Sequence, residues 1–361
     1  IAFVKRCVDK YFGDEFGGGF PSTSRIALMD ALHKLSEIDP AFKGVYKEEF
    51  DEQDIFRLKD GVSTVKSLRA KEVYKQLCHH RINFTPYYAV LLFDGDSMGE
   101  WLSGARLGNV EQLQKFHSKL SEELGKFART AAEEILIYPR GITVYAGGDD
   151  FLGFVNLSCL LDLLKKLRDK FDQIIDLSEF TDRKLTFSAG VAVAHFKTPL
   201  AEVLTWARKM MDEEAKNLDT EKDAFGIALL RHSGEISKTV YKWKIDGEWT
   251  PDLLNRLVGY LKEDFSSAFI KTFQFEFRPL TNEDGCLDHA KVSDEMVRME
   301  LKRLIERTEM KQHLEDENRK EKAAELLETL WTLYLEGKTF DHFLSLLDLA
   351  MFLEREMMPD A

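Results

Sequence analysis

Four aspartates in two short stretches carry the clearest chemistry in this sequence. Tyr145-Ala146-Gly147-Gly148-Asp149-Asp150-Phe151 joins two apolar runs through two glycines and two carboxylates, and the second run ends at Val155. That pattern predicts a tight β-hairpin with two acids at its tip. Upstream, Leu91-Leu92-Phe93-Asp94-Gly95-Asp96 is an apolar strand that ends in two more acids. Carboxylates gathered at the ends of adjacent strands suit divalent metal and phosphate chemistry. A nucleoside triphosphate carries about four negative charges. Two divalent ions roughly 3.5–4 Å apart neutralise it and activate an attacking hydroxyl. Such hard ions take carboxylate, carbonyl and water oxygens rather than sulfur. Either stretch alone could be a mere turn. Together, without a counter-ion, they would repel at a cost on the order of several kcal/mol in a low dielectric.

On this reading Asp94, Asp96, Asp149 and Asp150 are candidate metal ligands, and the Gly95 carbonyl is a further one. Gly147 and Gly148 permit the turn and let a nucleotide approach the backbone. Ser97, Met98 and Gly99 open a helix whose free N–H groups suit a triphosphate, with Asp96 or Ser97 as its cap. Ser188, in Phe187-Ser188-Ala189-Gly190-Val191, either contacts the nucleotide or bonds to backbone. Lys216 either reaches the phosphates as a point charge or is an exposed lysine near a helix C-terminus. Ser22, in Phe20-Pro21-Ser22-Thr23-Ser24 after Gly17-Gly18-Gly19, is a helix cap or a phosphate contact. Cys78-His79-His80 looks metal-like, but consecutive helical residues point apart.

The elements that must position these residues follow from periodicity. Residues 1–85 read mainly as helical, with Ile26, Leu28, Met29, Leu32 and Leu35 at helical spacing. Tyr87 to Phe93 reads as a central strand, apolar on both faces. A short helix from Met98 to Leu102 and a long amphipathic one from about Val110 to Leu136 follow. Strands Ile142–Ala146 and Phe151–Asn156 flank the hairpin tip. Then come a helix from Ser158 to Ile175, a strand from Leu185 to His195, and a helix from Pro199 to about Leu218. Ala224–His232 and Ile236–Trp243 close the series. The order βα-ββ-αβ-α-ββ predicts an α+β fold with a ferredoxin-like palm core. After Gly247 only helices are expected. Three segments result: a helical one at 1–85, the palm at 86–246, and a helical C-terminal one at 247–361. The polar stretch from Lys311 to Lys322 reads as a solvated helix face or a connection.

A chain of 361 residues can form two or three domains with sizeable cores. It starts at Ile1 and so reads as a piece of a longer protein. No apolar run is long enough to span a bilayer. Cys7, Cys78, Cys159 and Cys286 form no CxxC pair, which fits a reducing, cytoplasmic setting. A net charge of −13 argues against binding nucleic acid through a broad basic face. It leaves room for a basic groove, or for nucleic acid delivered by partners.

The strand Leu91–Phe93 with Asp94-Gly95-Asp96-Ser97-Met98-Gly99, the hairpin Ala146–Asp150, Ser188-Ala189-Gly190 and Phe20-Pro21-Ser22-Thr23-Ser24 resemble the large subunit of type III CRISPR effector complexes. The type III-B (Cmr) form is the nearest match. The resemblance implies a palm polymerase/cyclase that turns ATP into cyclic oligoadenylate once the complex has bound target RNA. Magnesium or manganese, the other complex subunits, and guide and target RNA are implied with it. Asp94, Asp149 and Asp150 would be the metal ligands, with Asp96 in support. The N-terminal HD nuclease and first palm domains of that family are missing from this sequence. Diguanylate cyclases are the nearest alternative, because Gly147–Phe151 differs from their GGDEF signature at one position. Their first strand is followed by D-x-D-x-F-K-x-x-N, but Leu102 stands at the guanine-reading asparagine. Lys216 matches their late lysine, while Thr220 replaces the arginine four residues on. A palm that only binds nucleotide and partner subunits is a third reading.

Overall fold

The computed structural model describes residues 20–311 and 316–357. Gly17–Gly19, Cys7 and the middle of the polar stretch lie outside the described residues. Helices α1 (Thr23–Ile38), α2 (Gln53–Lys59) and α3 (Leu68–His79) precede the sheet. Next come β1 (Tyr87–Gly95), α4 (Met98–Leu102), α5 (Leu113–Thr130), β2 (Gly141–Ala146), β3 (Asp150–Asn156), α6 (Leu160–Ile174) and β4 (Phe187–His195). They are followed by α7 (Leu200–Lys209), β5 (Ala224–Leu230) and β6 (Ile236–Lys242). A two-residue hairpin, β7 (Lys244–Ile245) and β8 (Glu248–Trp249), leads into α8 (Thr250–Glu263), α9 (Ala268–Phe277), α10 (Asp294–Arg307), α11 (Asp316–Leu335) and α12 (Phe340–Met357).

The six-stranded sheet runs β2-β3-β1-β4-β5-β6. Its first four strands have the ferredoxin-like order and pair antiparallel throughout. The β4–β5 pair is parallel because α7 crosses over between them, and β6 returns antiparallel. β1 lies between β3 and β4, so both of its edges are paired, and helices cover both of its faces, as its unbroken apolar run requires. Ala89, Leu91 and Phe93 face a core shared with α5, α6 and the C-terminal helices. Tyr88 and Val90 face a second core with α1 and α7. The first core continues across residue 246, and the second across residue 85.

Two long helices differ from the sequence expectation. The expected Val110–Leu136 helix opens with a 3-10 turn at Val110–Gln112 and ends in a π-turn at Ala131–Ile135. The expected Pro199–Leu218 helix is α-helical only to Lys209 and continues as a π-turn, Met210–Ala215. Two glycines seat this helix on the sheet. A methyl at Gly190 would collide with the Ala207 carbonyl oxygen and with the Met211 nitrogen. One at Gly226 would stand 2.9 Å from the Met210 carbonyl oxygen.

Candidate nucleotide and metal site

Cross-strand register assembles the site. Asp94 on β1 lies opposite Asp150 on β3 and opposite Ser188 on β4. The Gly95 N–H donates to the Asp149 carbonyl at 2.9 Å, which ties the first strand's exit to the hairpin tip. One residue back, Phe93 stacks on Phe151 with ring centroids 4.7 Å apart and packs at a tilt against Phe187 at 4.5 Å. This aromatic row is worth about 0.5–1.5 kcal/mol per pair beyond burial. It lies on the opposite face and fixes the three strand ends that carry the acids.

Glycine is required at two turn positions. A Cβ at Gly147 would overlap the Tyr145 hydroxyl and Asp150 Oδ1, and Gly148 has φ +115°. Gly95 is confined too, since a Cβ there would stand 2.9 Å from the Met98 side chain and 3.1 Å from Asp149 Cβ. Ser97 is left-handed (φ 55°) and makes no side-chain cap, so neither it nor Asp96 caps the five-residue helix α4.

The four acids divide into different roles. Lys216, reached through the π-turn, forms an ion pair with Asp94 and lies 3.6 Å from Asp212. Asp149 is half-buried. Burial raises its pKa, the Asp94 and Asp150 charges add to the rise, and its own backbone N–H and Lys216 oppose it. Asp150 accepts from Tyr145, whose pKa is raised by burial and then by that carboxylate. Asp96 turns inward and is 3% exposed. Its Oδ1 accepts from Ser188 at 2.8 Å; its Oδ2 accepts from Thr186 at 2.8 Å and from the Asp223 N–H at 3.1 Å. Burial raises its pKa against these three hydrogen bonds.

The structure therefore brings Asp94, Asp149, Asp150, Gly95, Gly147, Gly148, Met98 and Lys216 to one end of the sheet. It does not bring the Asp96 carboxylate to the cluster, because all its hydrogen bonds run the other way. The Ser188 hydroxyl goes to Asp96. Ser22 caps α1, accepting from the Arg25 N–H at 3.1 Å. Its neighbour Thr23 donates to the Phe196 carbonyl, past the far end of β4. At about 3.4 Å per residue that is some 27 Å along the strand from Ser188.

Among the described residues, no group of three or more His, Cys, Asp or Glu is gathered closely enough to hold a metal ion. The donor types, all carboxylate oxygens, are nevertheless those a hard cation takes. Three carboxylates share one end of the sheet, two of the charges raise the pKa of the third, and the Lys216 ammonium pairs with Asp94.

Beside Asp149 a cavity of about 680 Å³ opens between α5 and the hairpin. Leu124, Gly125 and Ala146 line it, with Ser121, His117 and Thr143 as polar groups. The sequence reading missed this slot, since it needs α5 and the hairpin placed together. It also missed Arg168, which is 4% exposed and holds Asp223 through Nε at 2.9 Å. A signal existed there: Arg168 sits on the Leu164–Phe171 apolar stripe of α6, where a charge must find a buried partner.

A ferredoxin-like sheet with acids at the β1 exit and the β2–β3 tip defines the class, a palm domain. Residues 87–226 match the family described as Cas10/Cmr2, second palm domain. The chain is 27% identical over 267 residues to the CRISPR system Cmr subunit Cmr2 of Pyrococcus furiosus, covering 68% of this chain and 30% of that protein. It matches the type III-B Cmr-beta structure bound to cognate target RNA with a TM-score of 0.55, 14% identity, and coverage of 82% of this chain and 44% of that one. The apo Cmr-beta structure matches at 0.51, also 14% identical, over 82% and 43%. Residues 87–226 thus match a second palm domain of the Cas10/Cmr2 family, and the chain is similar to the large subunit of Cmr-type type III CRISPR complexes. It spans less than a third of the curated relative's length. Among the described residues no helix is long and apolar enough to cross a membrane.

Proposed function

We propose that this chain is the palm-bearing part of a cytoplasmic effector-complex subunit that converts ATP into cyclic oligoadenylate when the complex, with its guide RNA, engages target RNA. One observation carries the reading: Asp94 and Asp150 face each other in register with Asp149 beside them, at the mouth of a slot next to the hairpin. Asp94, Asp149 and Asp150, with the Gly95 carbonyl, would hold magnesium or manganese. A bound ion there would supply charge neutralisation at the triphosphate. With a metal held at Asp94, the Lys216 ammonium would be free to bind phosphate. The slot accepts the flat base, with Leu124 and Ala146 against its face and Ser121 or His117 at its edge. Ser97, Met98 and Gly99 border the triphosphate. The segments 1–85, 86–246 and 247–361 are our proposal for its domains.

Asp149→Ala with Asp150→Ala is expected to abolish oligoadenylate synthesis while the complex still assembles and binds target RNA. Undiminished synthesis in that variant would overturn the reading. The closed Lys216–Asp94 pair also suits a non-catalytic scaffold. Calorimetric titration with ATP and GTP in manganese separates the alternatives. The scaffold predicts no manganese-dependent ATP binding, and a diguanylate-cyclase-like palm predicts that GTP wins.

A further inference from the structure

The two acids of Asp94-Gly95-Asp96 hold opposite ends of one loop. Between α7 and β5 the chain passes through Lys216 and returns at Asp223. Asp94 takes the Lys216 side chain at the start of this loop. Asp96 takes the Asp223 N–H at its end, 3.1 Å away. Lys222 and Asp223 are both left-handed, at φ 59° and 49°, a conformation that costs energy in residues with a side chain. Something must hold them there. Arg168 fixes the Asp223 carboxylate from α6, and Lys242 on β6 binds Asp219 at 2.7 Å. Asp96 supplies the only hydrogen-bond acceptor that the described contacts give the Asp223 N–H. Its other oxygen, through Ser188, and its shared oxygen, through Thr186, lock the carboxylate to the start of β4.

We infer that Asp96 is a positioning residue: by clamping Asp223 to β1 and β4 it fixes the loop whose other end presents Lys216 to the acid cluster. This rests on the reading of the cluster as a nucleotide site, and assigns Asp96 a role inside the fold rather than on the metal. Ser188 and Thr186 belong to the clamp, not to the ligand.

The test is a double-mutant cycle in the assembled complex, combining Asp96→Asn with Lys216→Ala. Asp96→Asn alone is expected to lower oligoadenylate synthesis about 10–100-fold, the scale of a misplaced site group. In the Lys216→Ala background the same change is expected to cost less than about twofold. Equal losses in both backgrounds would overturn the inference, because a merely structural residue costs the same either way. Thr186→Val, which removes one of the three donors, serves if Asp96→Asn does not fold. Hydrogen exchange reads the clamp without activity: amides 217–223 are expected to lose protection in either variant, and unchanged exchange there would refute it. Failure of the functional reading shows differently, as no synthesis by the wild-type complex itself.

Discussion

Replacing Gly190 by alanine tests how the site's cation is seated. On β4, Gly190 faces the backbone of α7 and its π-turn. A Cβ there would stand 2.5 Å from the Met211 nitrogen and 2.8 Å from Met211 Cβ, and closer still to the Ala207 carbonyl oxygen. Real Cβ atoms essentially never come within 3.0 Å of such neighbours. The obstructing atoms are mostly backbone, so no rotamer change relieves them. The helix must withdraw by ~1 Å from a close-packed interface. Overpacking of this kind costs about 1–3 kcal/mol, and backbone obstruction puts it near the upper end. The matched control is Gly259→Ala in α8, where a Cβ meets nothing within 4 Å. Gly259→Ala is expected to stabilise by about 0.5–1 kcal/mol through helix propensity. Urea unfolding of the two variants should move the midpoint in opposite directions with unchanged slope. Retreat of α7 also carries Lys216 away from Asp94, so synthesis should fall with Gly190→Ala and not with Gly259→Ala. A wild-type midpoint for Gly190→Ala would refute the seating argument.

Two further predictions follow from side chains near the site. Gly125 lines the slot from α5, and a Cβ there meets only Arg129 Nη1 at 4.0 Å. Gly125→Leu should therefore fold at least as well while filling the base position, raising KM for ATP about tenfold with kcat little changed, measured by steady-state kinetics. Glu214, two residues before Lys216, is half-buried. Burial would raise its pKa, but hydrogen bonds from Lys238 and Lys338 outweigh that and hold it down to about 2. Its stabilisation is complete above its unfolded value near 4.5 and is lost as pH falls towards 2. Glu214→Gln should flatten the acid side of the stability–pH curve in that window; an unchanged slope there would contradict the pairing.

The sheet was legible because its signals are local. An apolar run buried on both faces made Tyr87–Phe93 a central strand, and Gly-Gly between apolar runs made a hairpin. Ferredoxin-like connectivity then placed Asp94 beside Asp150 without any contact information. The division of labour within Asp94-Gly95-Asp96 was not legible. Residues two apart on a strand share a face, which predicts that both acids point into the cluster. β1 ends at Gly95, and Ser97 turns left-handed, so Asp96 leaves the pleat and its carboxylate points to β4. Ser22 was open for a different reason. A hydroxyl after glycines suits a cap or a phosphate contact, and the tertiary bond from Thr23 to Phe196 shows which end of the sheet it occupies.

Lys216 shows how one hydrogen bond can set a side-chain direction that spacing leaves open. Ala207 and Met211 face the sheet at i and i+4, so a continued α-helix would turn Ala215 inward and Lys216 about 100° away. The Lys216 N–H instead bonds to the Met211 carbonyl, five residues back, at 3.0 Å. A residue inserted into the turn changes the phase of everything after it. Met210, Met211 and Ala215 are all buried, and the next side chain reaches Asp94. π-turns carry a cost relative to α-geometry and recur at functional sites. Here the displaced residue is the cation that pairs with Asp94. The irregular turn thus sets the direction from which Lys216 approaches Asp94.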